Sequence, residues 1–186
     1  MHTPTLILLV SVVVIGILVI AGLILLGRRK TRRLRDRFGP EYAHAVDERG
    51  RGKAEADLRQ REKHVDKLTI RPLSASDRDF YTASWRKVQS QFVDDPKTAV
   101  TQADQLLGVV MSTCGYSVPD FEQRSADISV DHPEVVANYR AAHEVALRHE
   151  RGEASTEDLR RALIHYRTLF EELVGDPQTA HAAAAE

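Results

Sequence analysis

LILLVSVVVIGILVIAGLILL, residues 6–26, runs for 21 residues without a charge, and only Ser11, Gly16 and Gly22 interrupt its apolar side chains. At about 1.5 Å rise per residue such a helix is roughly 30 Å long, the thickness of a bilayer's hydrocarbon core. A helix that is apolar all round has no place on the surface of a domain this small. The stretch therefore predicts a single transmembrane helix, and everything after it reads as cargo on an anchor.

The flanks set the expected orientation. His2, Thr3, Pro4 and Thr5 precede the run without a Lys or Arg. After it come Arg28, Arg29, Lys30, Arg32, Arg33, Arg35 and Arg37 with one acid, Asp36, a net of +6 over residues 28–37. Positive charge stays on the cytoplasmic side and is attracted to anionic lipid. The expectation is a single-pass protein of the plasma membrane, with its N-terminus outside and its C-terminal domain in the cytoplasm. The seven basic residues are the expected contacts to anionic headgroups. A cleaved signal peptide fits poorly, since its charge would precede the apolar run and a small-residue cleavage site would follow it. No small-xxx-small pair lies inside the span, so a plain lipid-facing anchor is expected rather than a dimerising one.

The chain has 186 residues and a formal net charge of −1, so residues outside the collar carry −7. An acidic body makes no electrostatic case for nucleic acid. About 150 residues beyond the collar suffice for one domain with a core. Cys114 is the only cysteine, which excludes an intramolecular disulfide. At helical spacing after Leu107, Val110 and Met111 it reads as a core thiol.

The remaining pattern is helical throughout, and the class is all-α. Gly39-Pro40 marks a break. Residues 41–49 and 53–67 are charged, with sparse apolar positions at Tyr42, Ala45, Val46, Ala54, Leu58, Val65 and Leu68. This predicts a stalk, or an outer helix lying on the bundle. Pro72 keeps residues 68–73 extended, and Ser76-x-x-Asp79 resembles a capping box. Tyr81, Trp85, Val88 and Phe92 then share one helix face, with Trp85 the largest core candidate. Asp95 and Pro96 start the next helix and Gly115 ends it. Residues 116–132 read as the longest irregular segment. Asp131-His132-Pro133-Glu134 reads as a helix start. Ser155 to Asp158 cap the last helix, whose face is Leu159, Ala162, Leu163, Tyr166, Leu169, Phe170 and Leu173. The expected organisation is a short external N-terminus (1–5), a transmembrane helix (6–26), a basic juxtamembrane collar (27–37), a charged helical stalk (38–69), a small helical bundle (70–174) and a disordered tail (175–186).

Several stretches occur together in order: Arg37-Phe38-Gly39-Pro40-Glu41-Tyr42, Ile70-Arg71-Pro72-Leu73, Phe92-Val93-Asp94, Val130-Asp131-His132-Pro133 and His165-Tyr166-Arg167-x-Leu169-Phe170. With these the chain resembles an uncharacterised family of small single-pass membrane proteins of actinobacteria and some other bacteria, over residues 33–173. The resemblance implies no activity. A "secreted protein" label carried by some relatives conflicts with the charge pattern, which outweighs it.

No catalytic, cofactor or metal motif is present. The eight histidines form neither H-x-x-x-H nor H-E-x-x-H, and there is no G-x-G-x-x-G, Walker A loop or G-x-S-x-G. Polar groups gather at one place: Asp120, Glu122, Arg124, Asp127, Asp131 and His132. Read functionally, an acid–histidine cluster in a long loop is a place for a ligand or a partner. The plainer account is that Asp120 and Asp131 cap helices and Arg124 pairs with a nearby acid. The sequence thus predicts a membrane-anchored cytoplasmic interaction module with a protein partner, no cofactor and no reaction. The alternative is a small-ligand sensor or enzyme using the 116–132 loop, or a pocket around Tyr139, His143 and Tyr166.

Overall fold

The computed structural model describes residues 3–117 and 119–175; within the first helix the side chains of 3–15, 17–21, 23, 24 and 26 are outside that description. The expected tail lies beyond the described residues, apart from Gly175. Among the described residues the regular elements are seven helices: α1 (Thr3–Arg49), α2 (Arg51–Val65), α3 (Ala75–Asp94), α4 (Pro96–Cys114), α5 (Phe121–Asp131), α6 (Val136–Glu150) and α7 (Thr156–Val174). The chain divides into two units, residues 1–37 and residues 38–186.

Among the described residues no helix is long and apolar enough to cross a membrane. This overturns the single transmembrane helix expected at 6–26, and with it the single-pass plasma-membrane placement, the outside N-terminus and the cytoplasmic orientation. The finding bears on the part of α1 whose side chains are described. From Arg28 onward it carries the basic collar, exposed at Arg28, Arg29, Lys30, Arg32, Arg33 and Arg35. Each such charge costs about 2.5–3.5 kcal/mol at the centre of a bilayer. Most side chains of the apolar run itself lie outside the described residues.

Of the two expectations for residues 38–69, a stalk or an outer helix lying on the bundle, the packed helix is the one observed. Gly39 takes φ +46°, a conformation open to glycine, and interrupts α1 ahead of Pro40. The following arm buries Tyr42 and Ala45, and α2 buries Ala54, Leu58 and Val65. α2 packs on α5. The apolar positions were sparse because each helix needs only a narrow stripe to lie on the outside of a bundle.

The main core is built by α3, α4, α6 and α7, with α6 on α7, α3 on α4 and α4 on α7. Trp85 is buried and stacks on Phe170 of α7, ring centroids 4.7 Å apart and planes 15° apart. Asp95 caps α4 by accepting from Thr98 N, with Pro96 at the first position. Gly115 ends α4 in the left-handed region, where a Cβ would stand 2.3 Å from the Thr69 carbonyl oxygen. Arg71 N donates to Cys114 O at 2.9 Å, tying the extended 68–73 connector to that helix end. Ser155 and Asp158 form a reciprocal capping box on α7.

Three local expectations are corrected. α3 is capped by Ser74, which accepts from Asp77 N, and not by Ser76. The segment read as irregular contains an 11-residue helix, α5, capped by Asp120. Asp131 is the last residue of α5 rather than the cap of α6, which starts at Val136 without a side-chain cap. Residues 121–131 escaped notice because the buried face of α5 includes Ser125, Asp127 and Ser129. A stripe part polar and part apolar does not stand out by hydropathy.

Candidate functional site: a polar cleft between four helices

Glu41 is placed by the interruption at Gly39, which starts the 40–49 arm. Its carboxylate is 2% exposed and lies between two arginines. Arg140 of α6 holds it in a fork, Nη1 donating to Oε2 at 2.5 Å and Nη2 to Oε1 at 2.8 Å. Arg61 of α2 donates to Oε1 at 2.8 Å and to Ser129 Oγ on α5 at 3.1 Å. Burial alone would raise the Glu41 pKa, but the bonds and charges of Arg140 and Arg61 outweigh it and hold the carboxyl below its usual range. The same carboxylate holds Arg140 above the ordinary arginine value, against the opposing effect of burial. One buried acid thus joins three elements, and Arg61 extends the link to α5.

Above this triad opens a cleft of about 510 Å³. Its α1 wall carries His44, Glu48 and Arg49; its α2 wall carries Asp57, Gln60, Arg61 and His64. The α5 side, from the capping Asp120 to Ala126, faces them, and Arg140 closes the end. The α2 residues 57, 60, 61 and 64 follow helical spacing, so one face of one helix supplies a whole wall. Most of the charges are already paired. Asp57 holds Arg61 at 2.7 Å and Arg49 at 3.2 Å, and His44 Nε2 stands 3.5 Å from Glu48. No nucleophile–base pair is formed among the described residues lining the cleft. The arrangement holds charged groups of both signs in register.

The residues that sequence reasoning singled out are dispersed around α5. Asp120 and Glu122 face the cleft. Arg124 turns the other way and meets Asp104 of α4 at 3.4 Å. It crosses α4 at Gly108, where a Cβ would stand 2.9 Å from Arg124 Nη1. Asp127 is fully buried, accepts from Gln123 Nε2 at 2.6 Å and lies 3.6 Å from His64 Nε2. Burial pushes its carboxyl above the usual range, against the opposing pull of Gln123 and His64. Asp131 accepts from Tyr116 OH at 3.1 Å, and His132 Nδ1 is 3.0 Å from Glu172 of α7. The six residues therefore form no single site. Helical winding sends neighbours in sequence to different faces.

Of the Tyr139–His143–Tyr166 group, the two tyrosines are core and His143 is half-buried. Tyr139 and Tyr166 are fully buried with ring centroids 6.1 Å apart. Burial, together with the Asp104 carboxylate they face, pushes both hydroxyls well above the usual tyrosine range. His143 stacks on Phe121 at 3.6 Å, and burial lowers its pKa.

Sequence reasoning missed Glu41, His44, Asp57, Arg61, His64 and Arg140. A signal was present. Glu41 falls on the buried stripe Phe38, Tyr42, Ala45, and Arg61 on the buried stripe Ala54, Leu58, Val65. Opposite charges at stripe positions of two consecutive helices point to a buried pair. Among described residues no group of three or more metal-ligating side chains has the arrangement to hold an ion. No protein-family model, curated protein or solved structure matches this chain.

Proposed function

We propose that this chain is a helical interaction module without catalytic activity, whose working surface is the cleft between residues 44–64 and 120–140. The observation that carries this reading is the cleft's composition. Charges of both signs line it from four helices, over a floor fixed by the Arg61–Glu41–Arg140 triad. A rigid, charge-patterned surface selects its partner by electrostatic register. The occupant is a polar segment of another protein whose charges exchange with those of Glu48, Arg49, Asp57 and Glu122. The cleft's size favours a second reading, a small polar ligand, since about 300–1,000 Å³ is the usual range for such sites.

Site-specific photo-crosslinking in the cells that make the protein tests the first reading. A crosslinker at Gln60 or Glu122, on facing walls of the cleft, is expected to trap one discrete protein. The same group at Arg86 or Glu171, on exposed faces of α3 and α7, is expected to trap none. Equal adducts at all four positions, or none at any, would refute the partner reading. A rise in thermal stability on adding fractionated small polar metabolites, lost in Arg49→Ala, would then support the second.

A further inference from the structure

At the edge of the cleft, where α2 meets α5, a buried histidine nitrogen without a hydrogen bond approaches a buried carboxylate whose other oxygen is also without one. Asp127 is fully buried, and its Oδ2 makes no hydrogen bond of normal geometry among the described residues, although the Ser117 backbone N–H acts on the same carboxyl. His64 Nε2 is likewise buried and without a hydrogen-bond partner, 3.6 Å from Asp127 Oδ1. The rest of the His64 ring reaches the cleft, its side chain being 41% exposed. A separation of 3.6 Å is too long for a hydrogen bond and short enough for strong attraction once the imidazole is charged.

The surrounding charges leave this contact to the pair. On α2, Arg61 is held by Glu41 and Asp57, and Lys63 is exposed. Glu62 of α2 is half-buried. On α5, Asp131 lies one turn beyond Asp127 and accepts from Tyr116, which precedes the helix. On α1, His44 faces Glu48. Among the described residues His64 is the group that can bring a positive charge within ion-pair reach of Asp127.

We propose that His64 and Asp127 form a proton-operated clasp between α2 and α5, which sets how firmly the α2 wall of the cleft is held. With His64 protonated, the contact closes into a charge-assisted bond across the two helices. As pH rises and histidine loses its proton, a buried carboxylate is left facing a neutral ring, and α2 loosens. The clasp rests on the cleft being the working surface, but its test reads the helix directly and needs no partner.

The test is amide hydrogen exchange of the full chain, read over α2 and corrected for the intrinsic pH dependence of exchange. Protection of the 58–65 amides is expected to fall about tenfold between pH 5.5 and pH 8, the size of a charged hydrogen bond lost. His64→Gln and Asp127→Asn are each expected to remove that pH response. His132→Gln, which removes a histidine paired elsewhere, is expected to keep it. A response unchanged in His64→Gln, or protection that rises with pH, would overturn the clasp. If Asp127→Asn fails to fold, His64→Gln alone decides. A positive exchange result with no crosslinked partner would leave the clasp standing and sink the interaction reading.

Discussion

Replacing Glu41 by alanine is the sharpest perturbation of the cleft. The side chain is 2% exposed and receives three charged hydrogen bonds, two from Arg140 and one from Arg61. Without it, two guanidinium groups that are 25% and 12% exposed face each other with their shared counter-charge gone. Removing one partner of a buried ion pair costs about 3–5 kcal/mol. Against a usual stability of about 5–15 kcal/mol, that is a large share. Urea unfolding followed by Trp85 fluorescence measures it, because Trp85 is the only tryptophan. With a slope of about 2 kcal/mol/M the midpoint should fall by about 2 M. The pH dependence has a definite sign. The Glu41 carboxyl is held below its usual 4.5 in the folded state, so its contribution is fully present above that value. It is lost as pH falls below 4.5 through the folded value, which gives an acid limb that Glu41→Gln flattens. A triple replacement of Glu41, Arg61 and Arg140 by leucine or methionine should recover most of the stability, because no charge is then left buried. A loss below about 1 kcal/mol in Glu41→Ala, well under the range for a broken buried pair, would refute the reasoning: it would mean that water reaches the triad.

Trp85→Ala removes the stack on Phe170 from the main core and should cost about 3–5 kcal/mol, read as a fall in melting temperature by circular dichroism. Gly115→Ala puts a Cβ 2.3 Å from the Thr69 carbonyl at φ +98°, and should destabilise by about 2 kcal/mol or more in the same assay. Ser155→Ala breaks the capping box on α7 and should cost about 1 kcal/mol by urea denaturation, with faster amide exchange confined to the first turn of that helix.

Much of the bundle was legible because its signals are local. The stripe Tyr81, Trp85, Val88, the Asp95-Pro96 start, the Gly115 stop and the Ser155–Asp158 box each depend on residues within about one helical turn of each other. Trp85 was assigned to the core by spacing alone, and α7 does cover it with Phe170. α5 was missed because its buried face is partly polar. Ser125 and Ser129 donate to carbonyls within α5, Asp127 accepts from Gln123, and among the described residues only the Arg61 bond to Ser129 comes from another helix. A polar residue whose partner lies on another helix looks, in sequence, like a residue meant for water.

The apolar run at 6–26 shows how far a single local reading reaches. Its length and hydropathy predict a membrane span, whereas among the described residues no helix is long and apolar enough to cross a membrane. By itself the sequence determined the amphipathic helices α3, α4 and α7 and the caps of α4 and α7, because periodicity and capping are properties of neighbouring residues. It left open whether residues 38–69 stand apart or pack, since a thin apolar stripe serves either outcome. Only the tertiary structure decided that. It brought Glu41 within hydrogen-bond reach of Arg61, 20 positions away, and Arg140, 99 positions away. The cleft exists because four helices meet there, and no sequence spacing encodes a meeting that the packing of α2 on α5 and α5 on α6 creates.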